Sequence, residues 1–134
     1  MYTQKVINIF KNPKNAGGLH GANATSKVTD NSCGDIIKLY LKVNEEGIIE
    51  EAKFKTFGCT ASIASSSMLC DMVKGLSIEE AEEITANDVL EELGGLPAEK
   101  VHCASLAEEA LREAIADYFK RLEKELKKQQ LEEE

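Results

Sequence analysis

The sequence predicts an α+β fold: a small antiparallel sheet of about three strands packed against several helices, with a long helix at the C-terminus. Three observations predict it. Residues 36–57 alternate apolar and polar side chains with a period of two around a central turn. From Ala61 onward the apolar spacing becomes helical. The order is a helix, then strands, then several helices.

Each element has its own signal. Residues 3–11 carry Val6, Ile7 and Phe10 at helical spacing. That helix stops at Asn12–Pro13, because proline disfavours helical geometry in the residue before it. Gly17, Gly18 and Gly21 mark a loop, and residues 24–30 suit a short edge strand. Ile37, Leu39, Leu41 and Val43 then alternate with Lys38, Tyr40 and Lys42. Asn44–Gly47 has turn chemistry, and Ile48–Phe57 alternates again through Ala52, Phe54 and Thr56. This reads as a β-hairpin with one buried face. The segment ASIASSSMLCDMVKG reads as a helix stopped by Gly75, its serines suiting close approach to another backbone. Ser77–Glu80 is a capping-box pattern for a short helix, and Thr85–Asp88 opens another that Gly94–Gly95 closes. After Pro97 the last helix runs from about Val101 to beyond Leu126. Its apolar stripe is Leu106/Ala107, Ala110/Leu111, Ala114, Tyr118, Leu122 and Leu126. The charged tail from about residue 127 is expected to fray. With no linker or internal repeat, residues 1–134 read as a single domain.

Composition narrows the function. A chain of 134 residues buries an adequate core without staples. The net charge of −8 argues against nonspecific nucleic-acid binding, which needs a basic face. The charge is uneven: residues 1–30 hold four Lys and one Asp, whereas residues 76–99 hold eight acids and no base. The chain has no apolar run near the roughly 20 residues of a membrane span. Its N-terminus is too polar for a signal peptide. The expected location is the cytoplasm, where four cysteines favour metal ligands, reactive thiols or inert core positions over disulfides.

Three of the four cysteines fall at element junctions. Cys33 in NSCGD precedes the first hairpin strand, Cys59 in FGCTAS lies between the second strand and a helix, and Cys103 in KVHCAS opens the last helix. The hairpin should bring Cys33 and Cys59 together at its open end, and Cys103 joins them if the last helix packs its N-terminus there. Helix N-termini, with Lys100 adding charge, should lower the Cys59 and Cys103 thiol pKa values. Cys70 lies inside a helical pattern and reads as core. Asp35 and His102 add an oxygen and a nitrogen donor. Three sulfurs, one carboxylate and one imidazole suit a tetrahedral Zn²⁺. They also suit an iron–sulfur cluster held less firmly than by four thiolates. The HxE and HExxH patterns of an open-site zinc hydrolase or deaminase do not occur.

Together, CGDIIKLYLKV, IIEEAKFKTFGCTASIASSS and KVHCASLAEEALREAIADY resemble the IscU/NifU family of iron–sulfur cluster scaffold proteins. The likeness runs from NPKN at 12–15 to about residue 118, and the short stretch between Cys59 and Cys103 is like that of the IscU type. The resemblance implies a scaffold rather than an enzyme. A cysteine desulfurase of the IscS/NifS kind would deliver sulfur to a thiol among Cys33, Cys59 and Cys103. An iron donor would supply iron, and a transient [2Fe–2S] cluster would pass to acceptor apoproteins. The implied cluster ligands are Cys33, Asp35, Cys59, His102 and Cys103, with Lys100 auxiliary. Leu96–Lys100 reads LPAEK where the family usually has LPPVK, and Glu99 argues against docking in the apolar groove of an Hsp70-type chaperone. A zinc-binding persulfide acceptor of the SufU type is the alternative, and Zn²⁺ can occupy the resting site under either reading. The resemblance leaves a homo-oligomer open, and it implies no nucleic-acid or membrane partner.

Overall fold

The computed structural model describes residues 1–31 and 34–133, the last of these by its backbone. The expected elements form in the expected order. Helix α1 spans Gln4–Lys11, strand β1 Ala24–Thr29, β2 Ile36–Val43 and β3 Ile49–Phe57. Helix α2 follows at Thr60–Val73, α3 at Ile78–Ala81 and α4 at Ala86–Leu93. A 3₁₀ turn at Ala98–Lys100 leads into α5 at Val101–Glu133.

The three strands form one antiparallel sheet in the order β1-β2-β3. In the hairpin Leu39 pairs with Phe54 and Leu41 with Ala52, so apolar side chains meet on one face. Beside Ile37, Leu39 and Leu41 these residues are buried, while the intervening residues are half or fully exposed. The register shifts between Lys42 and Val43, next to the turn.

Helices α2 and α5 cover the buried face, α5 lying mainly on β1 and β2 and α2 on β3. Helix α2 also packs against α1, α4 and α5, and its residues from Ala61 to Cys70 are buried except Ile63. The alanines and serines among them let neighbouring elements pack close to the helix backbone. Ser65 and Ser66 lie in this tight packing with hydroxyls that have no partner among the described residues.

Local chemistry fixes the helix ends. Thr3 accepts the Val6 N–H at the start of α1. The predicted capping box of Ser77 with Glu80 forms, and the helix start expected at Thr85 also carries one, with Asp88. Gly94 ends α4 at φ +77°, a left-handed conformation that glycine adopts freely. Helix α5 keeps its apolar stripe in the core from Leu106 to Ile115. Beyond Tyr118 the same stripe leaves the core, and Leu122 and Leu126 are exposed. The helix continues to Glu133 through the charged segment.

Candidate metal and sulfur site

The open end of the hairpin and the starts of α2 and α5 meet at one place. Asp35 precedes β2, Cys59 follows β3 as the N-cap of α2, and Cys103 sits in the first turn of α5. The loop before Asp35 is closed by the Asp30 N–H donating to the Asp35 carbonyl (2.8 Å) and the Gly34 N–H donating to the Asp30 carbonyl (2.7 Å). Gly34 has φ +79°, which a side chain would strain. Gly58 has a steric reason to be glycine: a Cβ there would lie 3.0 Å from both Asp35 Cγ and the Ser62 side chain.

Cys59 Sγ lies 3.7 Å from Cys103 Sγ and 3.9 Å from Asp35 Oδ2. One ligand atom from each of the three residues falls within 4.8 Å of the others. The sulfurs are far beyond the roughly 2.05 Å of a disulfide. They fit metal chelation instead. Two thiolates at about 2.3 Å from one tetrahedral metal lie about 3.8 Å apart, and a thiolate and a carboxylate oxygen about 3.5 Å. The Cys59–Cys103 and Cys59–Asp35 separations therefore fall within a few tenths of an ångström of those values.

His102 flanks this set. Its Nε2 is 3.8 Å from Cys103 Sγ and 3.7 Å from Asp30 Oδ2, with the ring exposed. The structure thus brings Asp35, Cys59 and Cys103 together and places His102 at their edge. Cys33, the third predicted sulfur, lies outside the described residues. Lys100 ends the 3₁₀ turn beside the site, and the Cys59 charge, then neighbouring Tyr2 and Cys103, raise its pKa.

The two thiols differ. Burial alone would raise the Cys59 pKa. The Ser62 backbone N–H, the Cys103 thiol and the Ala61 N–H oppose burial, and its pKa is lowered from the ordinary thiol value. Cys103 is fully buried, and burial, with the charges of Cys59 and Asp35 beside it, pushes it up to about 12. The expectation of a lowered pKa therefore holds for Cys59 and fails for Cys103, where desolvation exceeds any benefit of the helix start. Of the two thiols, Cys59 is the more acidic and Cys103 the more firmly protonated. Cys70 is a core residue, as its helical setting suggested, and burial pushes it up to about 12.

Two contributors have no chemical signature of their own in the sequence. Ser62 donates to Asp35 Oδ2 at 2.6 Å. It stands three residues after Cys59, the spacing at which N-cap and N3 side chains meet, and that spacing was the available clue. Asp30 reaches His102 only through the packing of α5 on the sheet, which no local pattern encodes.

A three-stranded antiparallel sheet, with two thiols and a carboxylate gathered at paired helix starts, defines a small α+β domain with a candidate metal site. The chain belongs to the NifU-like N-terminal domain family, whose model matches residues 1–125. It is 48% identical to iron-sulfur cluster assembly scaffold protein IscU 1 of Archaeoglobus fulgidus, over 96% of this chain and 90% of that protein. It is also 48% identical to the scaffold protein IscU of Escherichia coli, over 87% of this chain and 93% of that protein. Among solved structures, the fold matches a putative iron-sulfur cluster assembly scaffold protein for the SUF system from Fervidobacterium islandicum. The TM-score is 0.69 at 23% identity, with 85% and 96% of the two chains covered.

Proposed function

We propose that this chain is a scaffold on which a transient iron–sulfur cluster is assembled and from which it passes to acceptor apoproteins. The observation that carries the reading is the Cys59–Cys103 sulfur pair, spaced as two ligands of one tetrahedral metal, with the Asp35 carboxylate beside it. The 48% identity to proteins named as cluster assembly scaffolds supports the same reading. The cluster is cargo, assembled and given away, and its expected type is [2Fe–2S]. The whole chain, 1–134, acts in this reading as one scaffold domain.

Cys59 and Cys103 hold the cargo, joined by Cys33. Asp35 supplies a weaker oxygen ligand, because a hard carboxylate matches a sulfide-bridged iron less well than a thiolate does. His102 stands by as a nitrogen donor, and Lys100 screens the accumulating negative charge. Sulfur arrives as a persulfide on a cysteine desulfurase. A thiolate among Cys33, Cys59 and Cys103 attacks the terminal sulfur, a new S–S bond forms on the scaffold, and the desulfurase cysteine leaves as thiolate. Cys59 is the more accessible and more acidic of the two described thiols. Iron comes from a separate donor. Glu99 keeps an Hsp70-type chaperone outside the reading.

No described helix is long and apolar enough to cross a membrane. A reducing cytoplasmic setting suits thiols that must stay free. A zinc-bound sulfur acceptor is the second reading, favoured by the fit of the donor spacing to Zn–S bonds. Anaerobic reconstitution with ferrous iron, cysteine and a desulfurase separates the two. The scaffold reading expects visible cluster absorbance that is lost in Cys59→Ser and Cys103→Ser. A colourless protein that accepts persulfide only with zinc bound would replace it with the second reading.

A further inference from the structure

Ser62 is fully buried at the start of α2. Its hydroxyl is 2.6 Å from Asp35 Oδ2, 3.5 Å from Cys103 Sγ and 3.7 Å from Cys59 Sγ. One hydroxyl thus touches all three donors of the set. It has a single proton to give. The contact with the carboxylate is much the shortest, and hydrogen bonds to charged acceptors are the strong ones, so the proton goes to Asp35. The oxygen that receives it, Oδ2, is also the one nearest the Cys59 sulfur. Gly58 makes the meeting possible, because any side chain there would press on both Asp35 and Ser62.

We propose that Ser62 is a positioning residue that competes with the cargo metal for Asp35 Oδ2 and so makes Asp35 an easily displaced ligand. The inference rests on the reading of Asp35 as a ligand. A half-buried carboxylate that lets go of a metal needs another partner, and Ser62 supplies one without moving the backbone. A contact formed in the metal-free site and weakened in the loaded one must lower metal affinity by the difference, since linkage is reciprocal. Ser62 therefore favours release over retention. It does so without entering the ligand set, because its neutral hydroxyl is a poor match for a metal held by thiolates.

The test is anaerobic titration of the full chain with Co²⁺, followed by Zn²⁺ competition. The proteins are the parent, Ser62→Ala, Asp35→Ala and the double variant. The visible Co²⁺ bands report the ligand set. Removing a hydrogen bond to a charged group should tighten Co²⁺ binding by Ser62→Ala roughly tenfold. Asp35→Ala should weaken binding and alter the bands. In the Asp35→Ala background the Ser62→Ala effect should vanish, because the two residues act as one unit. Ser62→Gly, which also lacks the hydroxyl, should shift affinity in the same direction as Ser62→Ala. If Asp35→Ala alters the bands but Ser62→Ala binds no tighter than the parent, or tightens equally without Asp35, the competition is wrong and the ligand reading stands. If Asp35→Ala changes neither bands nor affinity, the ligand reading fails and the proposal fails with it.

Discussion

Cys59 Sγ and Cys103 Sγ stand 3.7 Å apart although 44 residues separate them in the chain. Each sits at the start of a helix, and the two helices pack on each other over the same sheet. The sulfur spacing therefore depends on the whole core rather than on a local motif.

The pair predicts unequal thiol chemistry. Cys59 has a depressed pKa, so it should react with iodoacetamide at neutral pH and reach its plateau rate at lower pH than a free cysteine. Cys103, raised to about 12, should stay unreactive until far more alkaline pH. Mass spectrometry of the metal-free protein after timed labelling reads both. Faster labelling of Cys103 than of Cys59 would reverse the order of acidity.

Asp35→Ala is predicted to slow cluster loss to an apo-acceptor several-fold, because an incoming thiolate loses its easily displaced position on the iron. The measurement is the transfer rate from reconstituted protein, followed by circular dichroism. Faster release than from the parent would show that Asp35 retains the cargo.

Cys70 gives a stability prediction with a definite sign. Its folded pKa is raised to about 12 from an ordinary thiol value of 9.0. The native state therefore keeps a proton that the unfolded chain loses as pH rises through 9. Stability contributed by the buried neutral thiol is full below pH 9 and falls between 9 and about 12. Cys103 in the metal-free protein acts in the same direction. Urea midpoints should decline over this range, and Cys70→Ala should decline less steeply. Parallel curves for the two proteins would remove Cys70 as a cause.

The buried hydroxyl of Ser65, without a partner among the described residues, costs stability, since burying a hydroxyl without a hydrogen bond is unfavourable. Ser65→Ala removes that cost and improves helix propensity. It should stabilise the chain by about 1 kcal/mol, read as a higher urea midpoint with unchanged slope. A loss of stability would mean that the hydroxyl has a partner in solution.

Much of this was legible in the sequence because the signals are local. The alternation around Asn44–Gly47 set the hairpin register, and Ser77–Glu80 and Thr85–Asp88 set helix starts. Cys59 and Cys103 stood out because each is a thiol at an element junction. What was not legible depends on packing. The high pKa of Cys103 comes from its complete burial beside Cys59 and Ser62, which no pattern around KVHC reports. The Asp30–His102 contact arises from how α5 lies on the sheet. The stripe through Leu122 and Leu126 promised burial, but the sheet ends before those residues, and periodicity alone cannot say where a partner surface stops.

The central claim is that these donors load a cluster and then give it up. The most direct measurement is anaerobic transfer from the reconstituted chain to an apo-ferredoxin, with the iron and sulfide of both proteins assayed afterwards. The account predicts that the acceptor gains the cluster and the scaffold returns to its metal-free form with Cys59 and Cys103 again open to labelling. A chain that forms no cluster, or one that holds its cluster through prolonged exposure to the acceptor, would contradict it.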